Sequence, residues 1–325
     1  MSSLSARDIE RSTLPVISLA RLDASDVADR RALAREIRAA CVDTGFFYVT
    51  DHGVPDVLTH EVFAQAQRFF ALPLDEKMRI DIRESIAYRG YEPLRSQTLE
   101  SGAPADLKEG FVFDRHVPAT DPAVLAKSFG IGPNHWPADL PGFRETLETY
   151  RDIMNALSRK MVRCMALSLD LAEDALDGFC EEPSAMLRLV HYPPQPADAV
   201  PGEKGCGAHT DWGGFTFLLQ DDAGGLQVWD RRSDGWVNAT PIPGTFVVNV
   251  GDMMARWTND LYRSTLHRVV NVSGRDRISV PYFYQGKLDY PVSCMPTCLA
   301  PGEAAKYPPT TPAGHLADMV RLTYI

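Results

Sequence analysis

The spacing of apolar positions along this chain changes character near residue 186. Upstream, helical three- and four-residue steps are broken by short strand-like runs; downstream, short apolar runs alternate with turn residues. Residues 15–19 read as a short strand, and residues 26–41 as a helix with Leu33, Ile37, Ala40 and Cys41 on one face. Asp26 is its expected N-cap and Gly45 its stop signal. Residues 46–50, Phe-Phe-Tyr-Val-Thr, form a β-rich run. His52-Gly53-Val54 reads as a turn, a second helix covers about residues 54–70, and Pro73 with Asp75 opens another. Residues 85–140, rich in Gly, Pro and polar side chains, predict loops and short strands, residues 110–113 among them. Leu147, Tyr150, Met154, Leu157, Met161 and Cys164 step by threes and fours, one apolar stripe on a long helix over about 141–170.

From Met186 onward the pattern is that of strands. Residues 187–192 run into Pro193-Pro194, and residues 215–219, 245–250, 267–272 and 277–284 are further candidates. Residues 225–229 and 236–238 flank a Ser233-Asp234-Gly235 turn and read as a hairpin. Short strands at this spacing predict a double-sheet jelly roll, a double-stranded β-helix. The expected fold is therefore mainly β with flanking helices. An N-terminal α/β region over 1–95 packs on a jelly-roll core over 96–325, which the long helix supports. Residues 316–325 are expected to form a short closing helix.

Composition narrows the function. A net charge of −10 argues against a nucleic acid or an anionic membrane as partner, and leaves room for a small anion held by a local cation. The six cysteines (41, 164, 180, 206, 294 and 298) contain no C-x-x-C pair and are expected to be reduced thiols in a cytoplasm. The first residues carry no apolar signal-peptide core, and no run is long enough to span a bilayer. The sequons at Asn238 and Asn271 are then expected to be accidental.

The chemistry centres on Gly207-Ala208-His209-Thr210-Asp211-Trp212-Gly213-Gly214. Alternate side chains of a strand share a face, so His209 and Asp211 can grip one metal ion together. His267, in Ser-Thr-Leu-His-Arg-Val, is the best third ligand. Two histidines and one carboxylate leave positions open on an octahedral ion, as in non-haem Fe(II) oxygenases.

His209-Thr210-Asp211, then Asn259 through Val269 with His267-Arg268-Val269, then Arg277-Ile278-Ser279 resemble the Fe(II)/2-oxoglutarate-dependent dioxygenases, and more closely their isopenicillin N synthase-like branch. Asp43-Thr44-Gly45-Phe46-Phe47, Asp51-His52-Gly53-Val54, Gly224-Gly225-Leu226-Gln227-Val228 and Asn249-Val250-Gly251-Asp252 extend the resemblance over most of the chain. It implies Fe(II), 2-oxoglutarate and O2 as cofactors and cosubstrates, with succinate and CO2 released as a small organic molecule is oxidised. Hydroxylation is the leading reaction, with desaturation or cyclisation possible from the same oxidant. Arg277, with its planar fork of donors, and Ser279 would take the distal carboxylate of 2-oxoglutarate, and Tyr192 matches a tyrosine that also donates there. No catalytic residue is expected beyond the metal ligands. The chain departs from the branch at Val190, where many relatives carry asparagine, and at Asp260, where many carry glycine. An iron oxidase that needs no 2-oxoglutarate and a silent metal-binding protein of the same fold are the alternatives.

Around this centre, Arg188 either reaches the pocket from its strand or pairs with an acid. Trp212, Phe113 and Tyr284 are candidate substrate contacts, with Phe111, Tyr88 and Tyr91 behind them. His191 reads as packed beside the site and His52 as structural. His60, His116, His135 and His315 have no partner visible in the sequence.

Overall fold

The computed structural model describes residues 14–196 and 198–323. Its chain begins with β1 (Val16–Ser18), α1 (Val27–Asp43), β2 (Phe46–Thr50), α2 (Asp56–Phe70) and α3 (Leu74–Met78). Asp26 caps α1 through a bond from Ala28 N, and Gly45 turns the chain out of it at φ +68. β3 (Gly90–Glu92), β4 (Glu109–Phe113), α4 (Pro122–Leu125) and α5 (Phe143–Ser168) follow. The strands β5 (Ser184–Tyr192), β6 (Cys206–His209), β7 (Phe215–Gln220), β8 (Leu226–Asp230), β9 (Gly235–Asn238) and β10 (Phe246–Val250) come next. The described chain closes with α6 (Asp252–Trp257), β11 (His267–Val269), β12 (Arg277–Gly286) and α7 (Pro312–Thr323). The last two residues of the expected closing helix lie outside the described residues.

The architecture is the mainly β one expected. An eight-stranded sheet runs β1-β2-β10-β7-β12-β5-β4-β3, and a four-stranded sheet runs β6-β11-β8-β9. Strand alternation sorts their side chains into two layers. Phe46, Tyr48, Val190, Tyr192, Cys206, Val228, Val247 and Val269 meet between the sheets. Phe47, Val49, Leu187, Leu189, Phe217, Val248 and Val280 face the other way and join the α5 stripe of Leu147, Tyr150, Met154, Leu157 and Met161. That larger cluster reaches from Ile17 to Met295, and β3 pairs with β4 across residue 95. Among the described residues no helix is long and apolar enough to cross a membrane.

Two elements differ from expectation. The strand at 267 ends at Val269, because Val270 N turns to Gly225 O at 2.9 Å. The short helix α6 leaves no mark in the pattern, since Met253, Met254, Ala255 and Trp257 are all buried and show no polar face.

Candidate metal centre

β6 ends at His209 and β11 begins at His267, and their antiparallel register sets the two residues opposite each other. The rings lie 4.3 Å apart between centroids, and Phe46 packs edge-on against His267 at 5.2 Å. The expectation that His209 and Asp211 share one strand is corrected here: β6 stops at His209, and Asp211 lies in the loop beyond it. Its main chain is engaged elsewhere. The Asp211 carbonyl accepts from Asp252 N at 2.7 Å, those of Trp212 and Gly213 accept from Met253 N at 3.2 Å, and that of Gly214 from Gly251 N at 3.0 Å. These donors at and just before the start of α6 have no partners inside their own helix. The loop carrying the carboxylate therefore serves as the cap of α6.

Hydrogen bonds orient each side chain. His209 Nδ1 donates to Gly207 O at 2.8 Å and His267 Nδ1 to Thr265 O at 3.1 Å, so each ring presents Nε2 to the centre. Asp211 Oδ2 accepts from Thr216 Oγ1 at 2.6 Å and Asn249 Nδ2 at 2.7 Å. That leaves Oδ1 between the two imidazoles, 3.8 Å from His209 Nε2 and 3.6 Å from His267 Nε2. One ligand atom from each residue lies within 4.8 Å of the others. Burial lowers the basicity of both imidazoles, so at neutral pH they are uncharged donors. Burial opposes ionisation of Asp211, but the two imidazoles, then Asn249 and Thr216, hold its pKa below the usual carboxylate range, so it is ionised at neutral pH. Two neutral nitrogens and one carboxylate oxygen converging on one point fit a divalent first-row transition metal.

A second set of groups lies on β12. Its register places Arg277 opposite Tyr192 and Ser279 opposite Val190. Arg277 is fully buried; its Nε donates to Gly224 O at 2.6 Å and its guanidinium lies 4.7 Å over the Tyr192 ring. Nη2 reaches Gln220 Oε1 at 3.4 Å, while Nη1 has no partner. A buried guanidinium N–H without an acceptor is costly, and a carboxylate entering the space would meet it. Burial, the largest influence, raises the Tyr192 phenol, which also lies in hydrogen-bonding range of Ser279.

The remaining candidates divide. Arg188 shares the inner face of β5 with Val190 and Tyr192, where it pairs with Glu92 and reaches Gln97 at 3.4 Å. Gly110 leaves it room, since a Cβ there would come within 3.1 Å of both Arg188 Nε and Glu92 Oε2. Trp212 is half-buried next to Asp211. Phe113 and Tyr284 are corrected from pocket to core. Phe113 lies against Trp136 at 4.8 Å, and Tyr284 stacks on Phe215 at 5.1 Å. Both project to the helical side of the sheet. For Tyr284 the parity was readable, because it stands an odd number of residues from Arg277. Phe111 is buried in the same core, Tyr91 bonds Glu109 at 2.6 Å, and Tyr88 is exposed. His191 sits between Glu109 and Asp276 at 2.8 Å each, away from the centre. His52 Nδ1 accepts from Val54 N at 3.1 Å, a structural contact. Sequence reasoning misses Thr216 and gives Asn249 no role, although Asn249 stands in one of the motifs.

Comparison with known proteins agrees with this geometry. Residues 14–139 match the family described as non-haem dioxygenase in morphine synthesis N-terminal, and residues 183–286 match the 2OG-Fe(II) oxygenase superfamily. A 2-oxoglutarate-Fe(II) type oxidoreductase (hxnY) of Emericella nidulans is 42% identical over 95% of this chain and 89% of that protein. The 2-oxoglutarate-dependent dioxygenase citB of Monascus ruber is 43% identical over 82% of each chain. The crystal structure of a full-length Neurospora crassa protein in complex with alpha-KG and thymine superposes with a TM-score of 0.84 at 30% identity, covering 96% of this chain and 97% of that one. The chain belongs to the 2OG-Fe(II) oxygenase superfamily and is a Fe(II)- and 2-oxoglutarate-dependent dioxygenase.

Proposed function

We propose that His209, Asp211 and His267 hold the Fe(II), and that Arg277, Ser279 and Tyr192 hold the distal carboxylate of 2-oxoglutarate. The observation that carries this reading is the division of labour at Asp211: Oδ2 is spent on Thr216 and Asn249, and Oδ1 alone faces the two Nε2 atoms. Bound iron would activate O2, the oxidant, so that conversion of 2-oxoglutarate to succinate and CO2 is coupled with oxidation of a second molecule. The protein's share is placement. Arg277 neutralises one end of the cosubstrate, and its free Nη1 gives that end a fixed direction. The apolar layer around Val190 and Val269 keeps water from the space between.

The substrate in this reading is a small organic molecule, approached past Arg188 and Trp212, and its reaction is hydroxylation. The net charge of −10 supports a small molecule over a polyanion. The six cysteines are all free thiols, which supports a reducing, cytoplasmic setting.

The test is anaerobic. Fe(II) and then 2-oxoglutarate are added to metal-free protein, and the visible charge-transfer band of a chelated 2-oxo acid is recorded. Wild type should develop the band and His209→Ala should not. A band that survives in His209→Ala would remove that residue from the ligand set.

A further inference from the structure

We infer that Glu100 and Asp106 are positioning residues for His209, a pair of carboxylates that fix and charge the main-chain carbonyl on which that ligand is hung. The inference rests on His209 being a metal ligand, as proposed above. Asp106 Oδ1 accepts from Gly207 N at 2.8 Å, and Glu100 Oε2 accepts from Ala208 N at 2.9 Å. The next bond is His209 Nδ1 to Gly207 O at 2.8 Å. Gly207 O and Ala208 N belong to one peptide group, so the Glu100 carboxylate at its N–H end concentrates negative charge at the carbonyl that receives the imidazole proton. A stronger acceptor at Nδ1 makes Nε2 a better metal donor and fixes the tautomer that exposes it. Asp106 holds the preceding amide and so the position of the same carbonyl.

Both acids are backed by cations. Lys108 Nζ lies 2.5 Å from Asp106 Oδ2, with both side chains almost fully buried, and Lys204 Nζ lies 3.0 Å from Glu100 Oε2. Burial opposes ionisation of Glu100, but the Ala208 amide and Lys204 outweigh it and hold the acid below its ordinary range. The fit at the clamp is close. A Cβ on Gly207 would fall 2.6 Å from Glu100 Cβ and 2.8 Å from Glu100 N, so only glycine lets the two segments meet.

Metal affinity is the deciding measurement. Fe(II) dissociation constants are determined by anaerobic equilibrium dialysis for wild type, Glu100→Ala, Glu100→Gln and the double variant Asp106→Leu/Lys108→Met. The melting temperatures of the metal-free proteins are recorded alongside. The double variant removes both members of the buried pair and so strands no charge, while the Glu100 variants leave Lys204 with Gly202 O at 3.2 Å as its remaining partner, which is why the melts are recorded beside the affinities. Glu100→Ala and the double variant should each weaken Fe(II) binding by about tenfold or more. Both Glu100 variants should melt below wild type, since each leaves the buried Lys204 without its carboxylate, and Glu100→Gln, which keeps an acceptor at Ala208 N, should recover part of the lost Fe(II) affinity. Wild-type Fe(II) affinity in Glu100→Ala and the double variant, with affinity lost in His209→Ala, would overturn the inference and leave the ligand assignment standing. Affinity retained in His209→Ala would overturn both.

Discussion

Replacing Gly251 by alanine tests how the carboxylate ligand is held. A Cβ at Gly251 would lie 2.2 Å from Gly213 O, 2.8 Å from Gly213 C and 3.0 Å from Gly213 N. All three atoms are main chain, so no side chain can swing aside. Ordinary contact begins near 3.4 Å, and moving the oxygen from 2.2 to 3.4 Å separates the two segments by about 1.2 Å. That separation breaks the bonds from Gly251 N to Gly214 O, from Asp252 N to Asp211 O, and from Met253 N to Trp212 and Gly213. With the two bonds that share Met253 N counted as one, three donors at about 1 kcal/mol each amount to a loss of roughly 3 kcal/mol. The functional cost is comparable, because Asp211 moves with the loop, and a misplacement of about 1 Å at a reacting centre costs on the order of a hundredfold, about 2.7 kcal/mol. The assay is 2-oxoglutarate consumption with saturating Fe(II), run beside thermal melting and circular dichroism. Gly251→Ala should keep its secondary structure, melt earlier and turn over about a hundredfold more slowly. Wild-type turnover would refute the claim that α6 and the ligand loop are locked together.

Two further outcomes follow from the same contacts. Arg277→Met should weaken 2-oxoglutarate binding by about ten- to a hundredfold, the worth of a hydrogen bond to a charged group, with Fe(II) affinity kept; titration of the charge-transfer band reads both, and unchanged 2-oxoglutarate affinity would move that role elsewhere. The Glu109 cluster should shape stability against pH. Burial would raise this carboxyl, but His191, Lys77 and Tyr91 outweigh it and draw it from 4.5 down to about 2. Burial would likewise lower His191, but Glu109 and Asp276 raise it above 6.5. A depressed acid stabilises above its unfolded value and loses that as the pH falls towards about 2, a contribution of roughly 3 kcal/mol. A raised histidine stabilises fully below its unfolded value and loses that as the pH rises through the folded one. Urea midpoints of wild type and Glu109→Gln across this range should converge at the acid end and lie furthest apart between 4.5 and 6.5; a constant gap would show that the cluster does not titrate with folding.

What the sequence made legible follows from how local each signal is. The strands from β5 to β12 announce themselves because their side chains alternate between two apolar layers, and α5 because its stripe is long. The proposed metal ligands are legible because His209-Thr210-Asp211 is followed in order by a distant His267-Arg268-Val269 and by Arg277-Ile278-Ser279, whereas His209 and Asp211 alone would suit a surface turn as well. Asp211's true setting was not, since it depends on α6, whose six residues are too few and too uniformly buried to show a period. Phe113 and Tyr284 were misplaced because aromatic residues near a site suit both a pocket and a core, and only the face of the strand decides. Glu100 and Asp106 left no signal at all, because their main-chain partners stand 108 and 101 residues away.

Those distant contacts explain why the metal centre needs more than the β strands that carry it. A strand fixes where a side chain starts but leaves its ring or carboxyl free to rotate, so three ligands on two strands and a loop would each sample several rotamers. Each proposed ligand has a spare polar atom, and the fold fills each one from a different direction: Gly207 O for His209, Thr265 O for His267, Thr216 and Asn249 for Asp211. The supporting groups are themselves held, Gly207 by the loop before β4, Thr265 by its hydroxyl on Thr44 O, and the Asp211 loop by α6. Thr44 belongs to the turn after α1 and Asp106 to the segment between β3 and β4, so the N-terminal half of the chain reaches the ligands through the main chain they lean on. A substitution at Asp106, which never touches the metal, therefore acts on its geometry, whereas a change at Lys160 or Arg163 on the outer face of α5 breaks only a surface ion pair, to Asp23 or Asp177.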